Sequence, residues 1–394
     1  LVINGGSGSV TVNGAIGASN PLTTITIGSA GAGTIELTNI GGGSAGATGA
    51  VNIGNSSTGT LTLDGTIYLT GTGATDYEAA AGNNILLTGA SPTVTTGGGD
   101  LSFSTGNIVL STAGTTTFTT GTGTGGNITV AGTIDGTNEE NEALVIQSGS
   151  GNVQLQGAIG ATQPLTTITI NSSGAGTVEV TNIGGGSAGA TGAVNIGNSS
   201  TGTLTLDGTI YLTGTGATDY EAAAGNNILL TGASPTVTTG GGDLSFSTGN
   251  IVLSTAGTTT FTTGTGTGGN ITVAGTIDGT NEENEALVIQ SGSGNVQLQG
   301  AIGATQPLTT ITINSSGAGT VEVTNIGGGS AGATGATAIG NTSTGTLTLD
   351  GTVYNTGDTQ TYTAATGGGN IDITGAATFT TSADNIAFNT SGVD

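Results

Sequence analysis

The sequence repeats itself at a fixed interval. Leu1-Val2-Ile3-Asn4 returns as Leu144-Val145-Ile146-Gln147 and again as Leu287-Val288-Ile289-Gln290, a shift of 143 residues each time. Val51 to Ala143 recurs without change as Val194 to Ala286, and Leu144 to Ala193 recurs as Leu287 to Ala336. The chain divides into copies at 1–143 and 144–286 and a partial, diverging copy at 287–394. Self-similarity of this kind marks an array whose units bury apolar surface against their neighbours. No linker-like stretch separates the copies, so one continuous solenoid is expected. The chain opens within a strand-like phrase and without Met, so it is read as part of something longer.

Inside each copy runs a shorter beat. A Gly-Asn-apolar-x-apolar phrase or a near variant occurs at Asn84-Ile85-Leu86-Leu87, Asn107-Ile108-Val109-Leu110, Asn127-Ile128-Thr129-Val130 and Asn152-Val153-Gln154-Leu155, with Asn spacings of 23, 20 and 25 residues. Between these phrases lie other stretches of period two, such as Thr60-Leu61-Thr62-Leu63, bounded by Gly, Asn or Ser. That is the strand-and-turn signal, and no segment has a helical period. Leu, Ile and Val take the presumed inward sites and Thr the outward ones. Short strands, Gly-rich corners and a beat of roughly 20–25 residues predict the rungs of a parallel β-helix, an all-β solenoid. The recurrent Asn predicts an amide ladder along a corner. The competing fold is a string of β-sandwich domains, disfavoured by the missing linkers and by only six Phe and six Tyr to fill their cores.

Composition narrows function by subtraction. The 394 residues contain no Lys, Arg, His, Cys, Met or Trp. No imidazole, amine or thiol is available as base or nucleophile, and no Cys/His set can hold zinc, haem or an iron–sulfur cluster. The expectation is a non-enzyme. A net charge of −24 with no cationic side chain predicts no nucleic-acid partner. No run approaches the ~18 apolar residues of a membrane span.

Phrases such as Thr124-Gly125-Gly126-Asn127-Ile128-Thr129-Val130-Ala131-Gly132-Thr133-Ile134-Asp135-Gly136 and Ala161-Thr162-Gln163-Pro164-Leu165-Thr166-Thr167-Ile168-Thr169-Ile170 resemble the bacterial "beta strand repeat" proteins, giant surface proteins similar to filamentous haemagglutinin. The resemblance extends over nearly the whole chain. It implies a right-handed parallel β-helix, exported to the cell surface or beyond. It also implies use as a fibre, sheath or adhesin stalk, with self-association into filaments or contact with cell surfaces.

Four groups of residues are weighed as sites. The densest acidic run is Asp135-Gly136-Thr137-Asn138-Glu139-Glu140-Asn141-Glu142, repeated from Asp278 to Glu285. Calcium takes oxygen ligands, and Asp135, Glu139, Glu140 and Glu142, with Asp278, Glu282, Glu283 and Glu285, supply carboxylates for it. The plainer reading is a solvated turn, with no cofactor at all. Asp76-Tyr77-Glu78 and its repeat Asp219-Tyr220-Glu221 pose the same choice with fewer ligands. The Thr row Thr115-Thr116-Thr117-Phe118-Thr119-Thr120 raises an ice-binding solenoid as a minor alternative; a Thr-x-Thr on every successive rung is not found. Asn-x-Ser/Thr triplets at Asn55, Asn127, Asn171 and Asn341 are what chance yields in a chain so rich in these residues. The structural rod and the calcium-dependent adhesive module remain the two function classes.

Overall fold

A computed structural model describes residues 1–121, 123, 125–137, 141–264, 266, 268–280 and 284–390. Among them there is no helix, and every strand pairing is parallel. The chain forms two compact units, Leu1–Thr203 and Leu204–Asp394. Each is a β-solenoid with successive turns about 25 residues apart. The tandem-sandwich alternative is not realised.

In the first unit each turn passes three sides in a fixed order. Sheet A begins with Val2–Asn4 and Ile25–Gly28 and ends with Val178–Val180; sheet B runs from Val10–Val12 to Ile134–Asp135; sheet C runs from Ile67–Thr70 to Val194–Gly197. Single parallel bridges, Ile16 to Ile40 to Tyr68, mark the third side in the opening turns. In the second unit, sheet D runs from Ile210–Thr213 to Ile386–Asn389, sheet E from Thr218–Glu221 to Ile371–Ile373, and sheet F from Leu204–Leu206 to Ile277–Asp278.

Alternation decides what faces inward. Ile25 and Ile27 pair with Val51 and Ile53, and all four are fully buried, whereas the intervening Thr26 and Asn52 face out. Burying such a side chain contributes about 1.5–3 kcal/mol, so a stack of rungs stabilises itself neighbour by neighbour. The scarce aromatics are gathered rather than spread. Tyr68 meets Tyr77 edge-on at 6.4 Å, Tyr77 stacks on Phe103 at 5.5 Å, and Phe103 leans on Phe118 at 4.8 Å.

Two of these tyrosines differ in one respect that can be measured. The Tyr68 hydroxyl donates to the Leu37 carbonyl at 3.1 Å and accepts from the Gly65 N–H at 2.6 Å. The Tyr77 hydroxyl is buried with no hydrogen-bond partner among the described residues. Tyr68→Phe strands two buried backbone groups and is expected to cost about 1–3 kcal/mol. Tyr77→Phe removes an unsatisfied polar atom and should be neutral or stabilising. Urea melts of both variants decide it; equal losses would contradict the assignment.

The rung is not in step with the sequence repeat. Val2–Asn4 lies on sheet A, but its counterpart 143 residues on lies in Glu142–Ser148 on sheet C. Ile25–Gly28 on sheet A likewise returns within Thr167–Ser172 on sheet C, and Val10–Val12 on sheet B returns as Val153–Leu155 on sheet A. The second unit repeats the pattern by itself: Leu204–Leu206 on sheet F returns as Leu347–Leu349 on sheet E. One copy is therefore five turns and two further sides of a sixth, and identical sequence is presented one side away from where it stood.

The seams between copies leave no mark on the fold. Strand Glu142–Ser148 runs through Ala143–Leu144, and Glu285–Ser291 runs through Ala286–Leu287. The rung, about 25 residues, sits at the upper end of the expected 20–25. Asn84 and Asn107 are register partners on sheet B, but Asn127 stands at the entry to sheet A. The 20-residue interval between Asn107 and Asn127 is thus a step between sides, not a turn.

Candidate functional site

Most polar side chains at the corners are committed to joining one turn to the next. Asp100 Oδ1 accepts from the N–H of Asn127 at 2.8 Å, Asn127 Oδ1 from Asn152 at 2.9 Å, and Asn152 Oδ1 from Thr177 at 2.9 Å. The same chain of bonds runs from Asp243 through Asn270 and Asn295 to Thr320 in the second unit. The expected Asn ladder exists, but its bonds run from side chain to backbone rather than from amide to amide. The reason is the corner: an N–H that leaves the sheet ladder must find an acceptor. The Asx oxygen one turn away supplies it.

The acidic run of the sequence is drawn into the same task. Asp135 Oδ1 accepts from the N–H groups of Thr162 at 2.9 Å and Gln163 at 3.4 Å. Glu142 points into the solenoid and is 1% exposed. Its carboxylate accepts from the Thr137 hydroxyl and from the Asn141 N–H at 3.1 Å. Asp278 and Glu285 repeat these roles. Glu139, Glu140, Glu282 and Glu283 lie outside the described residues. Among the described residues no three acidic side chains converge into a set that could hold a metal ion.

The second acidic pair is half-buried on a strand. Asp76 and Glu78 alternate on strand Thr75–Glu78 of sheet A and face outward. Ser102 donates to Asp76 Oδ1 at 2.6 Å. The Ser104 hydroxyl lies 2.8 Å from Asp76 Oδ2 and 2.7 Å from Glu78 Oε1. Asp219, Glu221, Ser245 and Ser247 reproduce the arrangement. Sequence reading singled out the acids but not the serines. The signal was there in Ser102-Phe103-Ser104, one turn after the acids and in the same alternation.

Beyond these, outward side chains of three adjoining strands border a shallow groove on sheet A, about 240 Å3 in volume. Asn127, Asn152 and Thr177 form one wall, and Thr129, Gln154 and Glu179 the other. Gln154 Nε2 lies 3.4 Å from Glu179 Oε2. The counterpart on sheet E, from Asn270 to Glu322, measures about 270 Å3. Such walls offer amide and hydroxyl hydrogen bonds with a single carboxylate. The triplet residues are structural in part: Asn55 Oδ1 accepts from Ser57 N–H at 2.9 Å and Asn341 Oδ1 from Ser343 N–H at 2.7 Å, each folding its own turn.

Among the described residues no helix is long and apolar enough to cross a membrane. Compared with models of protein families, with curated proteins and with solved structures, the chain finds no match in any of the three.

Proposed function

We propose that this chain is a length of structural rod within a bacterial surface or extracellular fibre, whose task is to span distance. The observation that carries the reading is the seam: a strand runs unbroken through Ala143–Leu144, so adding a copy adds turns and no joint. The corner ladder from Asp100 to Thr177 supports it, because the outlying polar groups serve to hold one turn to the next. A rod outside the cell must also survive proteases, and a chain without Lys or Arg has no site for a trypsin-like enzyme. Few charges and many hydroxyls leave a hydrated surface suited to a sheath or stalk.

Copy number provides the test. Inserting one further 143-residue copy at the Ala143–Leu144 seam is expected to lengthen the particle by ~27 Å, from five and two-thirds turns at ~4.8 Å each. Small-angle scattering reads that length, and a gain in girth without length would overturn the rod. Calcium separates the rod from a calcium-dependent adhesive module. A module gains melting temperature by mass action as calcium rises to millimolar levels. The rod, with Asp135 and Glu142 already hydrogen-bonded, is expected to melt at the same temperature with calcium or with chelator.

A further inference from the structure

Charge is distributed unevenly over the three sides of each unit. On the strands of sheet A, Asp76, Glu78 and Glu179 face outward, and on sheet B Glu36 and Asp135 do so. Sheet C has one acidic residue on its strands, Glu142, and that one is buried. One column of its outer surface is a register of mostly β-branched residues: Ile67, Thr93, Thr117, Val145 and Thr169 follow one another turn by turn and lead to Asn195. Leu69, Thr95, Thr119, Gln147 and Asn171, uncharged throughout, form the next column. Ile67 is 41% exposed, among the largest apolar exposures in the chain. Sheet D of the second unit repeats the pattern with Ile210, Thr236, Thr260, Val288 and Thr312, and its one strand acid, Glu285, is likewise buried.

We propose that this acid-free face is a lateral contact surface whose partner is a second copy of this chain, laid sheet against sheet. The inference rests on the rod reading and names the rod's neighbour. The occupant follows from charge. Two copies carry 24 acidic residues each and no Lys, Arg or His, so no side-chain ion pair can form between them. An approach through sheet A or B sets carboxylate against carboxylate at the ~10 Å spacing of packed sheets, where screening at physiological salt is incomplete. Sheets C and D bring no strand carboxylate forward. Rows of Thr, Val and Ile at ~4.8 Å intervals also interdigitate as flat β faces do.

Area sets the strength. Six strands on sheet C and eight on sheet D, each presenting two to three outward residues, amount to roughly 400 and 500 Å2. A contact through one unit then buries ~800–1,000 Å2 over both partners, below the ~1,200 Å2 of a stable complex. Association through one face is therefore weak and reversible.

Sedimentation equilibrium of the 394-residue chain tests this. The weight-average mass is expected to rise with protein concentration, and to rise further as added salt screens the like charges. Placing carboxylates on the face, with Thr95→Glu and Thr119→Glu together with Thr238→Glu and Thr262→Glu, is expected to lower the association constant more than tenfold. Thr129→Glu with Thr272→Glu, in the grooves of sheets A and E, should leave it within about twofold. A second probe spares the fold: Thr117→Cys, the sole cysteine in the chain, should oxidise to a linked dimer several times faster than Thr62→Cys on sheet B. A wild-type chain that stays monomeric at high salt and millimolar concentration overturns the proposal, as does equal loss in both sets of variants. A monomer that shows thermal hysteresis lost in the four-site variant assigns the face to ice instead. Scattering on the inserted copy is unaffected by any of these results, so failure of the contact and failure of the rod are distinguishable.

Discussion

Gly65→Ala is expected to open the first unit, costing more than about 4 kcal/mol, whereas Gly14→Ala should change stability by less than ~0.5 kcal/mol. A Cβ at Gly65 falls far inside contact distance of the Thr38 carbonyl oxygen, with Asn39 Oδ1 also in its path. The second obstacle is bound in place. Asn39 Oδ1 accepts from Thr66 N–H at 3.0 Å and Ile67 N–H at 2.9 Å, and the Gly65 N–H donates to the Tyr68 hydroxyl. The new methyl therefore has to push one turn away from the next at a corner where the two touch through backbone. Gly14 has open space around it. Gly351 repeats the Gly65 geometry against Thr324, so Gly351→Ala is the matching experiment in the second unit. Urea denaturation gives the loss, and hydrogen exchange should place it in the turns next to the substitution, since rungs couple mainly to neighbours. A cooperative melt unchanged by Gly65→Ala would mean that the turns are not packed as closely as described.

Alkaline unfolding is the second large effect. All six tyrosines are fully buried: Tyr68 and Tyr77 in the first unit, and Tyr211, Tyr220, Tyr354 and Tyr362 in the second. Burial raises the pKa of each phenol, and Tyr354 is pushed up to about 12. At Tyr68 burial is the largest cause, the Gly65 N–H opposes it, and the Asp64 carboxylate adds to it. In the unfolded chain a phenol titrates near ~10. Above that pH the unfolded state gives up a proton that the folded state keeps, so folding stability is intact below pH ~10 and falls as pH rises. Each tyrosine contributes a slope of about 1.4 kcal/mol per pH unit. Two tyrosines in the first unit and four in the second amount to roughly 3 and 5–6 kcal/mol per unit of pH. Against a typical stability of ~5–15 kcal/mol, both units are expected to unfold between pH ~11 and ~12. Circular dichroism and the phenolate absorbance should change together in one step. Phenolate forming near pH 10 with the β signal intact would show the rings to be accessible.

How much of this was legible in advance varies by feature. Strands such as Asn84–Leu87 and Leu61–Leu63 stand where alternation placed them, with Ile85, Leu87, Leu61 and Leu63 buried. A period of two is a local property, visible without knowing what the strand pairs with. The inward set was only partly foreseen. Thr70, Thr96, Thr120, Ser148 and Ser172 are buried at strand ends of one side, although Thr was assigned outward. Their hydroxyls close the corners: Thr120 donates to the Gly126 carbonyl at 2.7 Å and Ser148 to Gly151 at 2.6 Å. A hydroxyl at such a position reads the same as an exposed strand Thr until the corner it caps is known. The acids were legible as a cluster but not in their roles, because Asp135 acts on Thr162 and Gln163 a full turn away.

The sequence by itself determined that the chain is an all-β array: its repeat demands identical units, and its alternation demands one buried face per strand. Only the tertiary structure decided which side of the solenoid each phrase occupies. A turn is the sum of three strands and three corners, and corners of unequal length carry no periodic signal. The 143-residue repeat falls one side short of six turns for that reason, so Val2–Asn4 and its copy in Glu142–Ser148 face different ways. The same accounting of corners leaves sheets C and D without an outward strand acid. Side chains reach solvent in register with their turn, not with their place in the repeat.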